Sequence, residues 1–304
     1  MSDDPPGRSR DRRQSESDRR SAAEPVESRR QEQLLAVARR EFVTVVRTRS
    51  YVALAVAFAL AVVGFPLAAG VGGYLPLVLD LLLPVEAFVP VLAFGFGTWT
   101  VLSDERTGEL DVVRTFPIER STYVFGAYLG RGTGLLAAVL VPLAVIGLVA
   151  PAFREPTTSV LASHGTVDSP VYFVRFVALA GWYALVALAL AMAASSVARS
   201  RRAGGALAAL GVLALVVGLD LLVVAGVGRG VVGPDAISLL LAMSPPGAFR
   251  GLVLSTAAGG LVETGPPAAN VPLSVVGLAA WLLAGLALAT VGAWTPTDRG
   301  PTRD

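Results

Sequence analysis

The chain has 304 residues, of which 54% are hydrophobic and 16% are charged, and its mean hydropathy is +0.64. Soluble domains carry about 25% charged residues, so this composition excludes an ordinary soluble domain and predicts an integral membrane protein. The net charge is +2, there is no cysteine, and all 25 basic residues are arginine. Disulfides and thiolate metal ligands are therefore excluded. A nucleotide-binding P-loop is excluded as well, because it needs a lysine to reach the phosphates.

The first 31 residues are polar, with 8 arginines, 7 acidic residues and no aromatic residue. Such a segment cannot bury enough apolar surface to offset its chain entropy. We therefore expect residues 1–31 to form a disordered tail. Its nearly balanced charge disfavours a nucleic-acid partner, since phosphate binding depends on an excess of positive charge.

Residues 32–49 have the periodicity of an amphipathic helix, with Arg40 and Arg47 on the polar side. A helix of this kind lies in the membrane interface, with its apolar face toward the lipid and its arginines toward the headgroups. We therefore predict an interfacial helix that contacts membrane lipid. Its apolar arc at 100° per residue consists of Leu34, Ala38, Phe42 and Val45, together with Leu35 and Val46.

Six apolar segments are long enough to cross the hydrocarbon core, which takes about 20 helical residues. They predict an all-α membrane protein in which residues 50–296 form a six-span domain and residues 297–304 form a tail. The predicted spans are 51–71, 83–102, 123–150, 177–197, 204–225 and 273–293.

The arginines are distributed unevenly between the two faces of this domain. Of the 25 arginines, 21 lie in the tails or in connections on the side of the termini, and only Arg154, Arg175, Arg229 and Arg250 lie on the other side. By the positive-inside rule, the chain is a multi-pass cell-membrane protein with both termini in the cytoplasm.

Residues 227–272 contain two apolar pieces, AISLLLAM and AFRGLVLSTAAGG, separated by a Ser-Pro-Pro-Gly break. At 1.5 Å per residue the pieces reach about 12 and 20 Å, so neither comfortably crosses the membrane. We predict a re-entrant or interfacial helical hairpin on the outer side, before the sixth span. Its backbone at that depth has to be covered by protein, so it should pack against the bundle.

The sequence offers few groups for catalysis or metal binding. Its one histidine, His164, falls in a loop, and the internal methionines are Met192 and Met243. Asp220 and Glu86 are expected near the outer ends of their spans, where a carboxylate can reach the headgroups. We therefore predict no catalytic residue, no metal site and no enzymatic activity in this chain.

The charged stretch SDERTGELDVVRTFPIERSTYVFG occupies residues 103–126, between the second and third spans. Its acidic residues come first, where they stabilise the N-terminus of a helix, and Pro117 ends that helix. We predict a short amphipathic helix on the cytoplasmic side that can transmit a push from a partner.

This stretch resembles the segment after the second span in type-2 ABC exporter permeases, where an acidic residue and Arg precede Gly, Leu, Pro, a basic residue and Gly. In that family the segment is a coupling helix that docks on a separate ATPase, and an elbow helix precedes the first span. The resemblance implies that ATP and Mg²⁺ bind to the partner subunit, that this chain holds no cofactor, and that two copies form a homodimer. We name residues 103–120 the coupling segment. The residues that the resemblance assigns to coupling are Asp104, Glu105, Arg106, Gly108, Glu109, Leu110, Pro117 and Arg120.

The family pattern often has a basic residue after its last Gly, but Ala127 stands there in this chain. Arg131 lies one helical turn later on the same face and is the expected substitute. Gly126, Gly130 and Gly134 form a smooth strip on the third span that permits close helix approach. The strip serves either packing within one subunit or a dimer interface.

A second resemblance lies in the sequence LAMSPPGAFRGLVL, which is similar to permeases for maturation of nitrous oxide reductase, a copper enzyme. Those permeases work with an ATPase and an extracytoplasmic accessory protein. The residues that carry this resemblance in the outer hairpin are Ser244, Pro245, Ala248, Phe249 and Arg250.

Three functions remain open at this point. The first is an ABC permease that couples ATP hydrolysis in a partner to transport or to maturation of an extracytoplasmic enzyme. The second is an exporter of a drug, lipid or other small hydrophobic cargo, and the third is a membrane scaffold that transports nothing. An importer permease is disfavoured, because the Glu-Ala-Ala loop of importers is absent.

Overall fold

The computed structural model describes residues 26–69, 73–98, 119–153, 169–198, 200–256 and 270–293. Within these ranges every element is helical, as predicted. The coupling segment up to residue 118 and the loop that contains His164 lie outside the described residues.

The helices are numbered here in chain order. A 3₁₀ turn, Ala150–Phe153, extends α4, and a π-helical turn, Ala214–Gly218, joins α6 to α7 within one continuous rod. The helices are α1 (Val26–Arg47), α2 (Arg49–Ala69), α3 (Tyr74–Gly97), α4 (Arg120–Val149), α5 (Pro170–Val197), α6 (Arg201–Leu213), α7 (Leu219–Gly228), α8 (Pro234–Met243), α9 (Pro245–Thr256) and α10 (Val271–Gly292).

Six helical rods are long and apolar enough to cross a membrane: α2, α3, α4, α5, the α6–α7 rod and α10. The protein is therefore a multi-pass membrane protein, and the predicted number of spans is confirmed within the described residues. The main boundary difference is in α3, which begins at Tyr74 rather than at residue 83 and contains Pro84 and Pro90. Proline is tolerated inside a membrane helix because neighbouring helices satisfy the freed backbone groups.

Helix α5 forms the centre of the bundle and packs against α3, α4, α9 and α10. Phe176, Tyr183, Leu188 and Met192 on α5 are fully buried. The α6–α7 rod lies at the periphery and leaves many apolar side chains exposed, as expected for a surface that faces lipid.

Helix α1 runs parallel to the first half of α4. The contacts Arg30 with Glu119, Val37 with Gly126, Glu41 with Gly130 and Val45 with Gly134 all join residues that are 89 positions apart. A constant separation over 15 residues means that the two helices keep the same direction and register for about 22 Å.

The length of α4 shows why this pairing is possible. With its 3₁₀ turn it forms a rod of 33 residues, about 50 Å long, whereas the hydrocarbon core is about 30 Å thick. Roughly 20 Å of α4 must therefore lie beyond the core, counting both ends. The Tyr51 ring at the start of α2 packs on Phe96 at the end of α3, with ring centroids 5.1 Å apart. The Arg131 guanidinium contacts both residues, so the first three turns of α4 project beyond the point where α2 begins and α3 ends.

Candidate functional site

The first charged cluster surrounds Arg131 of α4, where the strip of small residues meets α1. The Arg131 Nε donates to Glu41 Oε2 at 2.7 Å. One terminal nitrogen donates to the Phe96 carbonyl and lies 3.4 Å from the Tyr51 hydroxyl. The side chains of Arg131 and Glu41 are only 4% and 2% exposed, so water cannot screen or replace the ion pair.

The glycine strip explains how a charged pair becomes buried at this position. A Cβ added at Gly130 would overlap the Ala38 carbonyl and lie 2.7 Å from Glu41 Cβ, and one at Gly134 would lie 2.7 Å from Val45 Cγ1. Only glycine lets α1 approach α4 this closely. The described residues thus show the strip packed within one chain, which was the first of the two predicted uses.

Helix α1 is linked to the described residues on both sides of the range 99–118, which holds most of the coupling segment. Thr98, the last described residue before this range, follows Phe96 by two positions, and Phe96 binds Arg131, which pairs with Glu41 of α1. Glu119, the first described residue after this range and the next-to-last of the coupling segment, forms an exposed ion pair with Arg30 of α1.

This geometry corrects the role expected for Arg131. Its guanidinium is buried and engaged with Glu41 and Phe96, so it cannot present a charge to a docking protein in place of the residue at Ala127. Arg120, by contrast, is exposed at the first residue of α4. The other predicted coupling residues lie outside the described residues: Asp104, Glu105, Arg106, Gly108, Glu109, Leu110 and Pro117.

The apolar arc of α1 is divided between protein contacts and exposed positions. Val45 is buried against α4, and Leu34 and Ala38 are half-buried, whereas Leu35, Phe42 and Val46 are exposed. The contact of this arc with lipid stays a prediction. The helix also begins at Val26, six residues before the predicted start.

The second charged cluster joins three elements through Arg250 of α9. The Arg250 Nε donates to Glu86 Oε2 of α3 at 3.1 Å, and Arg250 Nη2 donates to Glu86 Oε1 and to Asp220 Oδ2 of α7. The Glu86 side chain is 5% exposed and that of Asp220 is 26% exposed. Asp220 Oδ1 is buried and has no hydrogen-bond partner within the described part of the chain.

The sequence suggested that Glu86 lies at the outer end of its span, but the structure places it elsewhere. It is twelve residues from Tyr74 and eleven from Gly97, so it lies about 18 Å from the start of α3 and near its middle. A carboxylate at that depth is costly without a partner. The ion pair with Arg250 therefore stabilises the Glu86 carboxylate inside the bundle.

The predicted hairpin residues form the wall that presents Arg250. Helices α8 and α9 are bent by 104° at the break between Met243 and Pro245. The Ser244 Oγ accepts a hydrogen bond from the Gly247 N–H at 3.2 Å, and Pro245 is buried. Phe249 is fully buried and stacks on Tyr183 of α5, with ring centroids 4.8 Å apart.

The π-helical turn Ala214–Gly218 ends two residues before Asp220. A π turn inserts an extra residue and shifts the face on which later side chains lie, and such turns are frequent at functional sites. Here it precedes the residue that reaches Arg250. The local sequence pattern did not predict this shift of the helix face.

The six membrane rods and the bent helix pair define a helical, multi-pass membrane protein. A family model described as "ABC-2 family transporter protein" matches residues 80–292, and the chain belongs to that family. It is also 30% identical over 273 residues to the probable ABC transporter permease protein NosY of Pseudomonas aeruginosa, strain PAO1. That alignment covers 83% of this chain and 94% of the relative.

Proposed function

We propose that this chain is the permease subunit through which a separate ABC ATPase performs work at the opposite face of the membrane. The observation that supports this most strongly is that α3 contributes to both charged clusters. Its Phe96 carbonyl binds Arg131 beside the coupling segment, and its Glu86 binds Arg250 ten residues away. One helix thus connects the expected docking site to the bent helix pair.

The ATPase docks on the coupling segment, residues 103–120, and binds ATP and Mg²⁺ itself. This assignment is supported by the family and by the contacts of α1. A displacement of Glu119, near the end of the coupling segment, would move α1 through Arg30. Helix α1 is joined to α4 and α3 through Glu41 and Arg131, so a push on the segment would be passed on to these helices.

The displacement then passes along α3. A shift at Phe96 is passed on to Glu86, which lies ten residues, or about 15 Å, away on the same helix. Because Arg250 holds Glu86 and Asp220 together, the shift reaches α9 and α7. The α8–α9 pair acts as a re-entrant hairpin on the outer face, and both termini are cytoplasmic.

The resemblance to NosY supports a narrower proposal. In this reading the chain works as a homodimer with two ATPases, and its hairpin acts on an extracytoplasmic accessory protein during maturation of a copper enzyme. Since copper itself need not cross through this subunit, the permease supplies mechanical work and no metal ligand.

A second candidate, export of a small hydrophobic cargo, is favoured by a cavity of about 360 Å³ beside the Arg250 cluster. Asp220 and Arg250 line it together with apolar residues, including Val223, Ile237 and Leu241. A mixed lining of this kind suits an amphiphilic molecule. In reconstituted vesicles, cargo export would continue without any extracytoplasmic protein, whereas the maturation role would require one.

The docking proposal is tested by reconstituting the chain with the ATPase encoded beside it. Glu105→Ala and Arg106→Glu should weaken ATPase binding by about tenfold or more, because the first removes a charge from the docking surface and the second reverses one. Arg202→Glu is the matched control, since Arg202 is exposed at the same end of the bundle but outside the coupling segment. If both variants bind the ATPase as the unmodified chain does, the assignment of the segment is wrong.

The maturation role is tested in cells that lack the chain. Restoring the unmodified chain should restore copper loading of nitrous oxide reductase, and Arg106→Glu should not. Loading that is complete without the chain would rule out this role while leaving ATPase docking intact.

A further inference from the structure

A second cavity lies next to the Arg131 cluster, since Tyr51 and Phe96 line it, and it opens at the surface of the bundle. Its volume is about 360 Å³, and it runs between the end of α1, the first half of α2 and the middle of α4. We call it the inner groove. Its lining is almost wholly apolar and includes Phe42, Val46, Val52, Ala55 and Ala138.

The inner groove has the depth of one lipid leaflet. Its α2 wall extends from Tyr51 to Ala59 and its α4 wall from Gly134 to Pro142, and eight residue steps correspond to about 12 Å. Half of a hydrocarbon core of about 30 Å is about 15 Å. The groove therefore begins where α2 begins and ends short of the middle of the membrane.

Two arginines stand at the mouth of the groove. Arg47 and Arg49 lie between Val46 and Tyr51, which are both lining residues, and both arginines are exposed. Neither forms an ion pair with a carboxylate among the described residues. Two cations at the rim of an apolar groove match a molecule with a negative head and a long apolar tail.

We propose that the inner groove binds one anionic phospholipid, with an acyl chain along α2 and α4 and its phosphate at Arg47 and Arg49. The lipid fills the space between the end of α1, the first half of α2 and the middle of α4. Its binding requires no ATPase and therefore does not depend on the function proposed above.

The other occupant that the groove could accept is a second copy of this chain. The arginine rim argues for lipid, because a second copy would bring its own Arg47 and Arg49, and no carboxylate in the described part of the chain pairs with them. Like charges at a symmetric contact are unfavourable, whereas an anionic headgroup neutralises them.

The experiment uses the purified full chain in nanodiscs, with native mass spectrometry to count retained lipids. The probes are phosphatidylglycerol, which is anionic, and phosphatidylcholine of equal chain length. We expect one phosphatidylglycerol to be retained in preference to phosphatidylcholine. Arg47→Gln/Arg49→Gln should reduce that preference by about tenfold, and the preference should weaken at high salt. The control Arg201→Gln/Arg202→Gln removes the same charge at the same end of the bundle.

A second pair of variants tests the groove without touching the arginines. Ala55→Phe fills the groove, whereas Ala53→Phe places the same side chain on an exposed position of α2 outside it. Only Ala55→Phe should release the retained lipid. Equal retention in Ala55→Phe and Ala53→Phe, or in the arginine variant and its control, would overturn the proposal. A change of oligomeric state in Ala55→Phe without loss of lipid would instead assign the groove to a second copy.

Discussion

Removing the Glu41 carboxylate is a direct perturbation of the buried pair that holds α1 against α4. In Glu41→Ala, Arg131 stays buried, since its side chain is 4% exposed, but loses its 2.7 Å partner. Breaking a buried ion pair from one side costs about 3–5 kcal/mol. Because Arg131 keeps the Phe96 carbonyl as an acceptor, we expect the lower end, about 3 kcal/mol.

The assay is thermal unfolding of the purified chain, followed by the fluorescence of its tryptophans. A loss of about 3 kcal/mol corresponds to a decrease in Tm of roughly 5 °C for a protein of this size. Glu32→Ala is the matched control, because Glu32 is an exposed acid on the same helix, and it should change the free energy of unfolding by less than about 0.5 kcal/mol.

A double variant tests whether Glu41→Ala loses stability because it leaves a buried unpaired charge or because it removes side-chain packing. Glu41→Leu/Arg131→Met replaces both charges by apolar side chains and should recover most of the lost stability, since such replacements are often neutral. The reasoning fails if Glu41→Ala unfolds like Glu32→Ala. It also fails if the effects of Glu41→Leu and Arg131→Met simply add in the double variant.

Two further predictions concern helix packing. Gly130→Ala should destabilise the chain by about 1–3 kcal/mol, because its Cβ overlaps the Ala38 backbone and α1 has to move away. Gly64→Ala is the control and should be neutral in the same unfolding assay, since a Cβ at Gly64 meets nothing within 4 Å. Arg250→Met should cost about 3 kcal/mol or more by leaving Glu86 and Asp220 without their cation, and the exposed Arg229→Met should not. A protease should cleave within α8 and α9 more readily in Arg250→Met than in Arg229→Met, because the hairpin loosens. Equal cleavage of the two variants would contradict the role of Arg250.

Much of the fold could be predicted from the sequence, because the six rods and the bent helix pair depend on the lengths of local apolar segments. Helix α3 shows where this reading fails. The predicted span began at residue 83, whereas the helix starts at Tyr74 and includes Asp80. For this reason Glu86 was predicted at the end of a span, whereas it lies near the middle of α3.

The two clusters were harder to foresee, because their partners are distant in sequence. Glu41 and Arg131 are 90 residues apart, and Glu86 and Arg250 are 164 apart. One signal was present: Glu41 lies seven residues after Leu34 and four before Val45, at the edge of the apolar arc of α1. A carboxylate on an apolar helix face needs a cation from a neighbouring helix, and Arg131 beside the glycine strip supplies it.

Site-directed cross-linking tests most directly whether residues 103–120 receive the ATPase. The chain contains no cysteine, so single cysteines can be introduced without other changes. Glu109→Cys in the coupling segment should form a cross-link to the ATPase with a short thiol-reactive reagent. Leu239→Cys, at an exposed position of α8, should form none, because α8 belongs to the opposite face. Cross-linking through Leu239→Cys, together with none through Glu109→Cys, would contradict both the docking site and the orientation of the chain.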